Sequence, residues 1–220
     1  INGTKAPFSF TYNNLPSEII LAKWERKTSE DKADGGKKYT VSYTNPADGF
    51  RVWAEFTLFG DYPTLEWCTY AENGGSENSK KLRNFMGMDI SFELDSSSLT
   101  LHTTEGSLDI AGDDINDYRL VTEKLTNKVT TFMPEENDGR SSEHAWPFFD
   151  VVGNGNGIMF GIGWTGLWTA NFSAEGNNVN ISSGMAKFSS YLRPQEKVRT
   201  PLYSITYFDG DAEYGHNLFR

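Results

Sequence analysis

The chain has 220 residues, with 20 Lys and Arg against 30 Asp and Glu, a formal net charge of −10 and a pI near 4.8. Phosphate backbones are gripped by clustered Lys and Arg, and with no basic stripe the balance argues against nucleic acid. No run of about 18 apolar residues occurs, so nothing reads as a membrane-spanning helix, and no basic stretch followed by an apolar one opens the chain.

All-β sandwiches of about 200–250 residues fold as one unit, and 15 Phe, 10 Tyr and 6 Trp spread along the chain favour strands with bulky inward faces. Period-2 alternation predicts strands at Phe8 to Tyr12, Ile19 to Glu25 and Lys38 to Thr44, then over Phe50 to Phe59, where 50, 52, 54, 56 and 58 are apolar. Further strands are expected at Thr64 to Ala71, Asp89 to Leu94, Leu99 to Thr103 and Lys128 to Phe132. The last group covers Gly157 to Gly163, Trp168 to Ala174, Val179 to Ser182 and Lys197 to Phe208. Turn clusters at 33–36, 73–76, 137–139 and 153–157 separate them. Many strands with tight turns and few helices predict an all-β fold, a two-sheet antiparallel sandwich.

Residues 106–138 lack a clear period and read as a loop excursion or a short helical turn. The lone Cys68 cannot form an intramolecular disulfide and reads as a small buried residue. The tail, 211–220, reads as the beginning of a helix with acidic residues in its first turn, and so as a cut at a domain boundary.

Chemistry is sparse. His102, His144 and His216 are the only candidate imidazole bases, and no serine sits in a Gly-x-Ser-x-Gly elbow. The three His lie far apart with no thiolate cluster, so neither a metal site nor a cofactor is expected. The acidic run at 113–117 lacks the spacing of a calcium loop and reads as solvated. Asn2, Asn171 and Asn180 open glycosylation acceptor patterns. Glycosidic chemistry needs two acids about 5–10 Å apart, and none of the 30 acids stands out.

Two stretches carry more. Residues 161–170 join Trp164 and Trp168 to three glycines; indoles suit the apolar faces of sugars, and equally a sandwich core. Residues 137–149 present Arg140, Ser141, Ser142 and Trp146 just before an apolar strand start. Such donors fix sugar hydroxyls or a neighbouring domain's carboxylates, or form a self-capped polar turn.

Taken in order, Asp61-Tyr62-Pro63-Thr64-Leu65-Glu66-Trp67, Glu72-Asn73-Gly74-Gly75, Asp138-Gly139-Arg140-Ser141-Ser142 with Pro147-Phe148-Phe149, and Gly161-Ile162-Gly163-Trp164-Thr165-Gly166-Leu167-Trp168 form a series. Leu192-Arg193-Pro194-Gln195-Glu196 with Arg199-Thr200-Pro201, and Gly210-Asp211 with residues 215–220, complete it. From about residue 50 onward the series resembles the N-terminal β-domain of α-galactosidases (melibiases) in glycoside hydrolase family 36. Leu167 and Gln195 depart from the family pattern, where Gln and Gly are expected.

The resemblance implies a galactose-mutarotase-like β-supersandwich over 1–210, with 211–220 starting a linker helix to a catalytic (β/α)8 barrel after Arg220. It places the catalytic aspartates in that barrel. This chain would then be noncatalytic, packing against the barrel, helping to shape its active-site mouth and contributing to homo-oligomer contacts, while the whole enzyme hydrolyses terminal α-galactosides. Arg140, Ser141, Ser142, Trp146, Trp164 and Trp168 would be substrate-proximal or barrel-interface residues, and an apolar patch is expected near the tail. The alternative is a self-standing carbohydrate-binding module or lectin, with Trp164 and Trp168 on one strand face as a stacking platform.

Overall fold

In a computed structural model, which describes residues 5–96, 98–107, 118–134 and 140–220, the alternating segments form two antiparallel sheets packed face to face. In chain order the strands are β1 (Ser9–Tyr12), β2 (Leu15–Pro16), β3 (Glu25–Ala33), β4 (Gly36–Thr44), β5 (Phe50–Phe59), β6 (Thr64–Asn73), β7 (Leu82–Glu93) and β8 (Thr100–Thr104). There follow β9 (Leu120–Lys124), β10 (Thr130–Phe132), β11 (Phe148–Val152), β12 (Asn156–Gly163), β13 (Trp168–Glu175), β14 (Asn178–Met185), β15 (Ser189–Ser190) and β16 (Lys197–Asp209). One sheet runs β10-β13-β14-β7-β1-β2 with β15 beside β7; the other runs β3-β4-β5-β6-β16-β12-β11-β8-β9.

Burial follows the pleat. Phe50, Val52, Ala54 and Phe56 of β5 point inward and are closed off, while Arg51, Glu55 and Thr57 face out. Phe149 of β11 sits at a crossing of rings, 4.9 Å from Phe172, 5.7 Å from Trp168 and 5.9 Å from Phe160. Burying such a side chain contributes about 1.5–3 kcal/mol.

The sheets are tied together at Gly87 of β7. Its carbonyl accepts from Trp67 Nε1 at 3.0 Å and Thr69 Oγ1 at 2.8 Å, both on β6 of the opposite sheet. A side chain at 87 would collide with Thr200, whose Oγ1 lies 2.2 Å from the ideal Cβ position. Thr200 Oγ1 in turn accepts from the Thr69 amide. Next to it Pro201, which has no amide to donate, lies inside β16 at a register shift between Arg199 and Leu202. Tyr203 Oη donates to the Ser183 carbonyl, adding a third hydrogen bond between the sheets.

Four readings change. Ile19 to Glu25 is not a strand: Ser17–Ile20 forms a helical turn, α1, and Leu21–Lys23 a 3-10 turn. Buried Ser17, Ile20, Leu21 and Trp24 recur at helical spacing, which outweighs the apparent alternation. Strand β3 carried no apolar signal because eight of its nine residues are exposed at the sheet edge. The first half of β7, from Leu82, and β9, within the stretch that lacks a clear period, are strands that alternation does not predict. The acidic run 113–117, the turn at 137–139 and the Asn2 acceptor lie outside the described residues.

The tail is a helix, α2 (Ala212–Phe219), packed on the outward face of the nine-stranded sheet. Asp211 caps it, accepting from the Tyr214 amide at 2.9 Å. Gly215 lets it come close, since a Cβ there would stand 2.5 Å from the Phe208 ring. Cys68 is buried, 3.3 Å from the Thr200 carbonyl.

Gly87→Ala should lower stability by about 1–3 kcal/mol, because the added methyl overpacks a fixed backbone contact. Its urea midpoint should fall below that of Phe56→Leu, which merely trims the core; an unchanged midpoint would contradict the close approach.

Candidate functional site

Pairing in the nine-stranded sheet sets outward side chains in rows across the strands. Trp53 of β5, Tyr70 of β6 and Arg199 of β16 occupy one row. The Trp53 and Tyr70 rings stack at 5.1 Å. Arg51 lies 4.6 Å over Trp53, and Lys197 is 5.5 Å from Tyr70. Trp53 Nε1 donates to Glu55, whose other oxygen pairs with Lys38 at 2.7 Å. Burial acts to raise the Glu55 carboxyl, but these donors together hold it below its ordinary value. Burial, reinforced by the adjacent Cys68 thiol, pushes the Tyr70 phenol up to about 12.

Farther along, β12 offers Gly161 outward, and the bare backbone admits rings: a Cβ there would meet Phe219 of α2 at 3.1 Å and Phe148 of β11 at 3.3 Å. Phe148 continues an aromatic ridge, 6.0 Å from Phe219 and 6.2 Å from Trp146, whose indole lies 5.1 Å from Tyr118. Phe148 and Tyr118 are 39% and 55% exposed, so the ridge beside the tail helix leaves apolar surface uncovered.

Two of the three His, remote in sequence, meet here. His102 Nδ1 lies 3.0 Å and His216 Nε2 3.4 Å from Oδ2 of the buried Asp150. The trio ties β8 and α2 to β11 and gives the carboxylate the partners that burial demands. Among the described residues, no group of three or more His, Cys, Asp or Glu is arranged to hold a metal ion.

Arg140, Ser141, Ser142 and Trp146 share one loop just before β11. Arg140 Nη2 donates to Glu143 at 2.8 Å, and Glu143 is buried. The Trp146 amide donates to the Thr104 carbonyl. The Ser142 backbone crosses Gly106 so tightly that a Cβ there would come within 1.8 Å of its carbonyl oxygen. Trp168, fully buried in the core, sends its Nε1 proton to the Ser141 carbonyl at 2.7 Å. It therefore holds the loop from beneath and offers no ring face to a ligand.

Trp164 is apart from Trp168. The chain leaves the nine-stranded sheet after Gly163 and enters the other at Trp168, so no single strand carries both indoles and the expected platform does not form. Trp164 is half-buried under the Arg199 guanidinium, 5.3 Å from its ring. The ridge lies where an apolar patch near the tail is expected, whereas local spacing does not predict the trio, although Asp150 stands out as a lone charge between Phe149 and Val151.

Two antiparallel sheets of seven and nine strands, with a helix on the outer face of the larger, define a β-supersandwich. The chain shares this fold with part of family 36 α-galactosidases. AgaA of Geobacillus stearothermophilus, solved in complex with raffinose, superposes with a TM-score of 0.74 at 14% identity, covering 99% of this chain and 32% of that one. The α-galactosidase of Lactobacillus brevis gives 0.67 at 14% identity, over 94% and 29%. A galactose mutarotase-like protein from Lactobacillus casei gives 0.51 at 10% identity, over 84% and 73%. The chain thus spans about a third of the length of the α-galactosidases it matches. No protein-family model and no curated protein matches the sequence.

Tyr12 and Tyr203 are raised further than Tyr70, first by burial, so all three favour the protonated phenol in the fold. The folded state then holds more protons than the unfolded one above pH ~10, and stability should fall as pH climbs from about 10 toward 12. Absorbance at 295 nm should show these phenols ionising only with unfolding; a single transition near pH 10 for every tyrosine would contradict their burial.

Proposed function

We propose that this chain is the noncatalytic N-terminal domain of an α-galactosidase-like glycoside hydrolase, residues 1–210 forming the sandwich and 211–220 leading toward a catalytic (β/α)8 barrel. The observation that carries this is the fold match over 99% of this chain against 32% of an α-galactosidase chain. The sandwich packs against the barrel and helps to shape its active-site mouth, and its surface contributes to homo-oligomer contacts. The surface suited to that packing is the ridge of Trp146, Phe148 and Phe219 with the Arg140 loop beside it. It joins one exposed and two half-buried rings to a fixed guanidinium, the composition of a protein contact. In the whole enzyme, hydrolysis of terminal α-galactosides would proceed through a carboxylate nucleophile and a carboxylic acid partner in the barrel. The rival reading, a self-standing lectin, has lost its indole pair to the burial of Trp168.

Hydrolysis of a chromogenic α-galactoside should be absent with the 220-residue chain and present when the chain is extended through its natural downstream sequence. Hydrolysis by the short chain would overturn the noncatalytic reading. In the longer protein, Trp146→Ala or Trp164→Ala should cost more activity or assembly than Leu15→Ala, an exposed residue on β2 of the other sheet; equal losses would remove both residues from the interface.

A further inference from the structure

On the other side of α2 from the aromatic ridge, the outward face of the nine-stranded sheet holds an open cleft of about 390 Å³. That volume falls in the range of about 300–1,000 Å³ typical of small-ligand sites. Its floor is polar. Glu66 stands directly opposite Ser204, and Thr64 opposite Thr206, across the β6 and β16 pair. Two successive outward rungs thus set four polar side chains on one face. Thr64 and Thr206 bond each other at 2.8 Å, and because Thr206 is closed in at 1% exposure, only the partly open Thr64 hydroxyl of this pair has capacity to spare for a ligand. Among the described residues Glu66 and Ser204 make no side-chain hydrogen bond or ion pair, while the nearby Lys38 is engaged by Glu55.

The walls are aromatic: Phe59 and Tyr62 on one side and Phe219 of α2 on the other. Tyr62 is 61% exposed, an amphipathic ring held at the rim by the Asp61-Tyr62-Pro63 turn.

We propose that this cleft binds a neutral pyranose sugar. A carboxylate accepts hydrogen bonds from adjacent sugar hydroxyls, serine and threonine hydroxyls donate to others, and the rings cover the apolar C–H face of the sugar. An anion would meet Glu66 and a net charge of −10. A quaternary ammonium would use the rings and the carboxylate but leave the Ser204 hydroxyl without a partner, since Thr64 and Thr206 satisfy only each other. The inference does not depend on a barrel following the chain, and it moves sugar recognition away from the Trp164 and Trp168 pair to a face where carboxylate, hydroxyls and rings converge.

The test is a titration of the 15N-labelled chain with methyl α-galactopyranoside and, separately, with choline, followed by amide shifts. Expected is saturable binding of the galactoside with a Kd on the order of 1–10 mM, the strength of a single exposed sugar contact. The shifts should concentrate at Thr64 to Glu66 and Ser204 to Thr206. Glu66→Gln and Tyr62→Ala should each weaken binding about tenfold or more with an unchanged thermal midpoint, and Trp146→Ala should leave it intact. No saturable shift up to about 100 times that Kd range, shifts confined to other faces, or a preference for choline would each overturn the proposal.

Discussion

The fold depends on one carbonyl. Gly87 lies on the seven-stranded sheet, and its oxygen is the shared acceptor for Trp67 and Thr69 of the nine-stranded one. An amide group buried between apolar layers is costly unless bonded, so this acceptor fixes the sheets in spacing and in register at once. Because Thr200 fills the space where a side chain would stand, β16 must kink there, and Pro201 occupies the step that needs no donor. The remainder of β16 then carries Ser204, Thr206 and Phe208 onto the outer layer that receives α2.

A second constraint acts on the outside. Sheet faces in sandwiches are normally solvated, yet β12 presents Gly157 and Gly161 beneath α2, and a Cβ at Gly157 would stand 2.5 Å from the Phe208 ring. Phe208 is closed in between Gly157 and Gly215, while Phe219 reaches Phe148 over Gly161. Small residues under large ones make a shallow seat, and the buried Asp150 with its two imidazoles locks one side of it. The helix divides the outward face into an aromatic ridge toward β11 and a polar cleft toward β5 and β6. These two surfaces differ in chemistry, one suited to a protein contact and the other to a hydroxylated ligand.

Much of this was legible from alternation alone, because strands such as β5, β13 and β16 bury one face and expose the other. Strand β3 was not, since an edge strand exposed on both faces carries no apolar period. Residues 17–24 misled for the opposite reason, their apolar positions fitting a short run of either period. The site was less legible still. Trp164 and Trp168 lie four residues apart and satisfy strand alternation on paper, but the chain changes sheets between them, and only topology separates a core indole from a surface one. The trio at Asp150 brings together residues up to 114 apart in sequence, and local spacing has no bearing on such a meeting. The Gly210-Asp211 and Gly215 pattern, by contrast, mapped directly onto a capped helix and its close approach to Phe208.

The most direct test of the outer face as a domain interface is amide hydrogen exchange, run on the 220-residue chain and on the protein extended through its natural downstream sequence. Slowed exchange in the longer protein confined to residues 140–148 and to α2, with β3 unchanged, is the outcome that the ridge requires. Identical exchange in both proteins across those residues would contradict the interface and leave the ridge without a partner.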